Sequence, residues 1–147
     1  MQLSPHFSLS EFTISQTASR LGVDNTPDET VIARLKQTAE GMELVRDLLG
    51  GKPILISSGY RSLPVNRALG SSDTSAHVKG YAVDFICPAF GTPLAICKAL
   101  SKAKGFEFDQ LIEEGSWVHI SFDLRMRGEV LTMKAGKYEA GLTRDAA

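Results

Sequence analysis

Two histidines and one aspartate in this sequence are residue types that could bind a metal ion together. Asp84 stands between Val83 and Phe85, in a segment whose alternation predicts a strand. A carboxylate buried in such a strand needs a partner, and either a cation or an arginine would serve. His77 lies at the mouth of the preceding loop, and His119 lies in a second apolar strand. Two imidazoles and one carboxylate leave one tetrahedral position open for water, as in a catalytic zinc site.

The same three residues also have an ordinary structural interpretation. His77 could cap a turn, Asp84 could pair with Arg61, and His119 could be a hydrogen-bonded strand residue. Nitrogen and oxygen ligands suit zinc without excluding other transition metals. The spacing alone leaves both interpretations open, because short motifs often match by chance.

Hydrolysis at such a metal site would also require a base. Glu113 and Glu114 precede the strand of His119 and are the nearest candidates in the sequence. Successive residues of a strand point to opposite faces, so only one of the two glutamates can reach a metal held by His119.

The first third of the chain predicts two helices. A hydroxyl N-cap at Ser8, with a glutamate three residues later, predicts a short helix that ends at Gly22. Thr26 as N-cap and Pro27 at the first helical position predict the start of a long amphipathic helix. Its apolar stripe continues until Gly50, where the helix should stop.

The rest of the chain alternates short helices and strands. Apolar runs and alternation predict strands at 53–57, 79–86, 108–112, 117–122 and, at a sheet edge, 130–133. Helical spacing predicts helices at 63–69 and 92–104, and residues 143–147 are expected to form a loose tail.

This order of elements predicts an α+β fold, a small, mostly antiparallel sheet with flanking helices. A length of 147 residues suits one domain, 1–147. Within it we distinguish a helical part at 8–50, a core at 53–122 and a C-terminal strand and tail at 123–147.

The composition excludes several classes of protein. Hydrophobic residues make up 43% and charged residues 22%, as in an ordinary globular domain. A net charge of -1 gives no electrostatic reason to expect a nucleic-acid or membrane partner. Cys87 and Cys97 are expected to be small, partly buried apolar residues rather than a disulfide or a pair of metal ligands. Without a secretory signal pattern, the protein is expected to stay in the cytoplasm until it is released.

Three motifs follow one another along the chain: SGYRS at 58–62, SxHxxGxAxD at 75–84 and WxHxS at 117–121. Together they resemble the motifs of the zinc D-Ala-D-Ala carboxypeptidase family. That family includes phage L-alanyl-D-glutamate endopeptidases and shares its fold with the amino-terminal domain of hedgehog proteins. The resemblance spans residues 53–122, and the segments LSEFT at 9–13 and DNTP at 24–27 are similar to the leader of phage and prophage members.

The resemblance implies roles for individual residues. It makes His77, Asp84 and His119 the ligands of a Zn²⁺ cofactor. Arg61 matches an arginine that holds a substrate carboxylate or the developing oxyanion, a task that suits a planar guanidinium. Ser75 matches a serine near the metal that contacts the substrate or a ligand residue.

The base is the point at which this sequence departs from the family pattern. Several members have an acid three residues before the last histidine, where this chain has Ser116. Other members have a glutamate at the end of the preceding strand. Glu114 matches this glutamate best, and Glu113 lies one residue away from it. If neither carboxylate reached the metal, the domain would bind zinc without catalysis.

The function implied by the resemblance is hydrolysis of the peptide stem of bacterial peptidoglycan. We predict a phage or prophage endopeptidase that acts in cell lysis or wall penetration, released from the cytoplasm or carried in a virion. A D,D-carboxypeptidase that releases terminal D-alanine is one alternative, and a non-catalytic zinc-binding phage module is another. The expected partner is the stem peptide, and the expected state is a monomer.

Overall fold

The computed structural model describes residues 1–145. Its helices and strands, numbered in chain order, are β1 (Gln2–Ser4), β2 (Phe7–Ser8), α1 (Leu9–Thr13), α2 (Gln16–Leu21), α3 (Glu29–Leu48), β3 (Leu55–Ser58), α4 (Leu63–Ala68), α5 (Ala76–Lys79), β4 (Ala82–Ile86), α6 (Pro93–Lys102), β5 (Gln110–Glu113), β6 (Val118–Ser121), β7 (Glu129–Lys134) and β8 (Lys137–Ala140). Within these described residues, every helix is too short or too polar to cross a bilayer.

A six-stranded sheet in the order β3-β4-β6-β5-β7-β8 forms the centre of the fold. Neighbouring strands are antiparallel except for β5 and β7, which run parallel. Side chains of α3 and α6 join those of the central strands in one hydrophobic core. The predicted α+β fold, with a small and mostly antiparallel sheet, is therefore confirmed.

The long helix α3 begins two residues later than the sequence predicts. Its N-cap is Asp28, whose carboxylate accepts a hydrogen bond from the Val31 backbone N–H at 2.9 Å. The predicted cap at Thr26 is therefore wrong, and Thr26 lies before the helix with its N–H donating to Asp24 Oδ1 at 2.9 Å. A carboxylate at this end also interacts favourably with the helix dipole. Five buried apolar side chains at helical spacing then face the core: Val31, Leu35, Ala39, Met42 and Val45.

The single helix predicted after Ser8 is two short helices. The capping box forms as predicted, with Glu11 bonded to the Ser8 backbone at 3.0 Å. Ile14 then takes an extended conformation, and Ser15 caps α2 through the Ala18 N–H. The apolar spacing in this segment was imperfect, and the break at Ile14 accounts for it. Gly22 ends α2 in a left-handed conformation, as predicted.

Strand β3 is an edge strand, although its apolar run predicted a buried one. It pairs only with β4, and Leu55 is 53% exposed. A short apolar run does not distinguish an edge strand from a central one when only its sequence is known. The prediction for His77 also needs correction, because His77 lies in the single-turn helix α5 rather than in a loop.

The C-terminal part of the chain is more ordered than the sequence predicts. The predicted edge strand is internal, because β7 pairs with β5 on one side and with β8 on the other. The hairpin between β7 and β8 turns through Ala135 and Gly136, both at positive φ, as the twist of a two-residue turn requires. The expected loose tail is wrong for Thr143, whose N–H donates to Thr132 at 3.0 Å. The last two residues of that predicted tail lie outside the described residues.

Both cysteines are free thiols, as predicted, and both are fully buried rather than partly buried. Burial, aided by the charge of Glu113, raises the pKa of Cys97 to about 12. A thiol with such a pKa stays protonated and does not act as a nucleophile near neutral pH.

Candidate active site

The structure brings His77, Asp84 and His119 to one point. Antiparallel pairing of β4 with β6 places Asp84 directly opposite His119, on the same face of the sheet. Asp84 Oδ1 lies 3.3 Å from His77 Nε2 and 3.0 Å from His119 Nδ1. One ligand atom from each of the three residues lies within 4.8 Å of the other two. The three groups can therefore contact a common ion.

Local structure fixes the orientation of His77. Ser75 caps α5 by accepting a hydrogen bond from the His77 N–H at 3.2 Å, and Gly80 ends the helix in a left-handed conformation. The ring Nδ1 lies 2.7 Å from the Gly59 carbonyl oxygen. Because a carbonyl can only accept, Nδ1 carries the hydrogen and Nε2 presents a lone pair toward Asp84.

The donor set fits a cation. Burial lowers the pKa of His77, which favours the neutral ring. Neutral His77 then directs a lone pair of Nε2 at Asp84 Oδ1 across 3.3 Å, so that two acceptors face each other. Although burial alone would raise it, the hydrogen bond from His119 Nδ1 at 3.0 Å helps to hold the pKa of Asp84 below its ordinary value. An ionised carboxylate beside two imidazole nitrogens is a ligand set that zinc accepts.

Arg61 lies in the same cleft and orients the carboxylate. One of its terminal nitrogens contacts Asp84 Oδ2 at 3.3 Å, so the ion pair left open by the sequence is present. Its other contacts are Ser58 Oγ at 3.2 Å and Asn66 Oδ1 at 3.4 Å. Three of the five guanidinium N–H groups are engaged in this way, which leaves two for another acceptor. Asp73, another acid that could have paired with Arg61, binds Arg67 instead.

The two candidate bases occupy opposite faces of the sheet. Glu114 lines the cleft that contains Asp84 and His119, whereas the Glu113 side chain is fully buried on the core side. Arg144 binds the buried Glu113 carboxylate, with Nε 2.5 Å from Oε2. Burial, and then the charge of Asp84, raise the pKa of Glu114. Glu114 is therefore the glutamate placed to act on a group bound in the cleft.

The cleft over this face of the sheet has a volume of about 670 Å³. Its lining includes residues of α5 and the residue after α4, as well as residues of β7 and β8. Besides the residues already described, its walls include Leu69, Ser71, Ser75, Gln110, Trp117, Arg125, Arg127, Leu131 and Tyr138. Ser75 thus caps α5 and also faces the cleft, so both roles considered for it are compatible with its position.

Two further residues belong to the site: Tyr138, which the sequence did not reveal, and Asn66, which follows the SGYRS motif in the family resemblance. Tyr138 lies on β8, a strand that the sequence does not predict, and partial burial of its largely exposed side chain, followed by the charge of Glu114, raises its pKa. Asn66 is fully buried and joins Arg61 to the Ser72 carbonyl, which its amide contacts at 2.7 Å. The Ala-Gly pair before Tyr138 was the available signal for its hairpin.

The sequence model of the Peptidase M15 family matches residues 5–121, so the chain belongs to this peptidase family. It is also similar to the zinc D-Ala-D-Ala carboxypeptidase of Streptomyces albus G, at 27% identity over 74 residues. That match covers 50% of this chain and 28% of the relative, so the chain spans well under half of the relative's length. The predicted family and its zinc cofactor are thereby confirmed, while the roles of individual residues stay predictions.

A Gly59→Ala variant tests whether the backbone at Gly59, whose carbonyl contacts the His77 ring, helps to position that histidine. A methyl group at this position would lie 2.9 Å from the Cα of Phe12, which is closer than packed atoms allow. We expect a loss of about 1–3 kcal/mol in unfolding free energy, as for other overpacked sites, together with weaker zinc binding. Thermal unfolding and zinc titration measure the two effects. Gly91→Ala, remote from the cleft, is the control, and parent-like zinc affinity in Gly59→Ala would contradict the expectation.

Proposed function

We propose that this protein is a zinc peptidase that hydrolyses the peptide stem of bacterial peptidoglycan. In this proposal His77, Asp84 and His119 hold the zinc ion. The observation that carries it is the convergence of these three ligands on one sheet face, with Glu114 lining the same cleft. Membership of a peptidase family supports hydrolysis, and the similarity to a carboxypeptidase named for D-Ala-D-Ala supports a peptidoglycan substrate.

The zinc ligands, Glu114 and Arg61 have separate roles in the proposed peptide hydrolysis. Zinc held by this ligand set supplies a Lewis acid that activates water and polarises a carbonyl group. The Glu114 carboxylate accepts the proton of the attacking water and returns it to the leaving amine. Arg61 directs its remaining N–H groups at negative charge, on the developing oxyanion or on a substrate carboxylate.

We favour an endopeptidase over a carboxypeptidase because of the shape of the cleft. Besides the three ligands, its lining includes Leu69 after α4 as well as Leu131 and Tyr138 on β7 and β8. A cleft of about 670 Å³ leaves room for substrate residues on both sides of a scissile bond. Release of terminal D-alanine stays the second candidate, supported by the relative's name and by the N–H groups that Arg61 keeps for a free carboxylate.

A phage or prophage setting is our proposal for the biological role, and the leader segments at 9–13 and 24–27 support it. In that setting the peptidase would act on the wall after release from the cytoplasm or from a virion.

Digestion of purified peptidoglycan by the zinc-loaded protein tests the proposal. Mass spectrometry of the muropeptides should detect new amino termini inside the stem. Released D-alanine without internal cleavage would instead establish the carboxypeptidase. A fully zinc-loaded protein that leaves every muropeptide intact would contradict hydrolysis and favour a non-catalytic module. Protein treated with a chelator is the matched control, and it should show no cleavage.

A further inference from the structure

The carboxylate of Glu113 lies beneath the turn that carries Glu114. Its side chain is fully buried, and one oxygen lies 2.5 Å from Arg144 Nε. The other oxygen accepts a hydrogen bond from the Gly115 backbone N–H. The Glu114 N–H in turn donates to the Trp117 carbonyl at 3.0 Å, which closes the turn between β5 and β6. A buried charge on one face of the sheet is thus bonded to the backbone next to the candidate base.

Arg144 is held in place by the segment that follows β8. Its terminal nitrogen donates to the Met133 carbonyl at 2.6 Å while its Nε binds Glu113. Thr132 anchors the same segment, because its hydroxyl donates to the Gly141 carbonyl at 2.8 Å and accepts from the Thr143 N–H at 3.0 Å. The Arg144 guanidinium therefore binds Glu113 from a backbone segment that hydrogen bonds to Thr132 hold in place.

We infer that Glu113 and Arg144 are positioning residues, which hold the turn so that the Glu114 carboxylate faces the ligands in the cleft. The inference rests on the proposed function, in which Glu114 is the base. Arg144 lies beyond residues 5–121, the range matched by the family, so the family match assigns it no role.

The physical argument is that the Glu113–Arg144 pair is bonded directly to the backbone of this turn. Gly115 adopts a φ of +91°, a conformation that L side chains rarely take, and the Glu113 oxygen is its hydrogen-bond acceptor. Without Arg144, the buried Glu113 carboxylate would lack its cation and would move toward water. The Gly115 N–H would then lose its acceptor, and the neighbouring Glu114 would no longer be fixed.

The test separates positioning from stability with a double substitution. Glu113→Leu with Arg144→Met replaces the ion pair by apolar side chains, a change that often leaves stability unaltered. We expect kcat on soluble muropeptides to fall by about tenfold to a hundredfold, as for small misplacements of a catalytic group. KM and zinc content should match the parent. Arg144→Lys keeps a cation beside Glu113, and the Glu113 carboxylate can then still accept the hydrogen bond from the Gly115 N–H. This variant should therefore retain most of the activity.

Trp117 supplies a readout that needs no substrate. It is the only tryptophan of the chain and belongs to the same turn. Quenching of its fluorescence by acrylamide should increase in the double variant, because a loosened turn exposes the indole. Glu43→Gln is the matched control, because Glu43 binds Ser4 and His6 far from the cleft. That variant should leave kcat and the quenching constant unchanged.

A parent-like kcat in the folded, zinc-loaded double variant would overturn the inference. Failure of the proposed function looks different, since either the parent would leave muropeptides intact or Glu114→Gln would be fully active. The quenching of Trp117 would then still decide whether the Glu113–Arg144 pair fixes the turn.

Discussion

Glu114→Gln should bind zinc as the parent does and lose at least about a hundredfold in kcat, the range expected for removal of a general base. The amide has the shape of the carboxylate but does not accept the proton of the attacking water. Glu114 lines the cleft beside the ligands without belonging to the three that converge. Zinc content by elemental analysis and muropeptide cleavage by mass spectrometry, both on the same preparation, measure the two properties.

Glu107→Gln is the control for this experiment, because Glu107 is exposed outside the cleft. It should cleave like the parent. Full activity in Glu114→Gln would show that the base lies elsewhere. Glu113 would be a poor replacement, because its carboxylate is buried on the other face and bonded to Arg144.

His119→Ala should lose stoichiometric zinc and the stability that zinc confers. A ligand that binds only the folded state at about 1,000 times its Kd adds roughly 4 kcal/mol. The variant also loses the hydrogen bond of 3.0 Å between His119 and Asp84. We therefore expect a lower Tm in zinc buffer and no further decrease on adding a chelator, whereas the parent should respond strongly to the chelator.

His6→Ala is the matched control, because His6 is the remaining histidine and contacts Glu43 rather than the cleft. It should keep the zinc content of the parent and its response to chelator. Equal zinc content in His119→Ala and the parent would contradict the assignment of His119 as a ligand.

The common face of Asp84 and His119 could be predicted from sequence because strand alternation determines the face of each side chain, whereas His77 lies on α5 and was assigned through the family motif. Asp84 and His119 each alternate with core residues, and that fixes their common face once β4 and β6 pair. The distance between them does not follow from alternation, since it depends on a register set by contacts along the whole sheet. The family motifs supplied what local pattern did not.

The choice between Glu113 and Glu114 shows where sequence reasoning ends. Alternation requires that the two carboxylates point to opposite faces, but it does not say which face holds the ligands. The structure decides through Arg144, which lies 31 residues farther along and binds Glu113. A contact of this separation leaves no periodic signal. The strand β8 was missed for a related reason, since its four residues are all exposed.

The shared position of Arg61 has a consequence for how its variants should be interpreted. The same guanidinium touches Asp84 and keeps N–H groups for an incoming anion. Binding of an ion by Asp84 and binding of an anion by the remaining N–H groups of Arg61 are therefore energetically linked. Such coupling is reciprocal. A substrate that binds Arg61 would change the affinity of the protein for the ion. The ion would change the affinity of the protein for the substrate by the same factor.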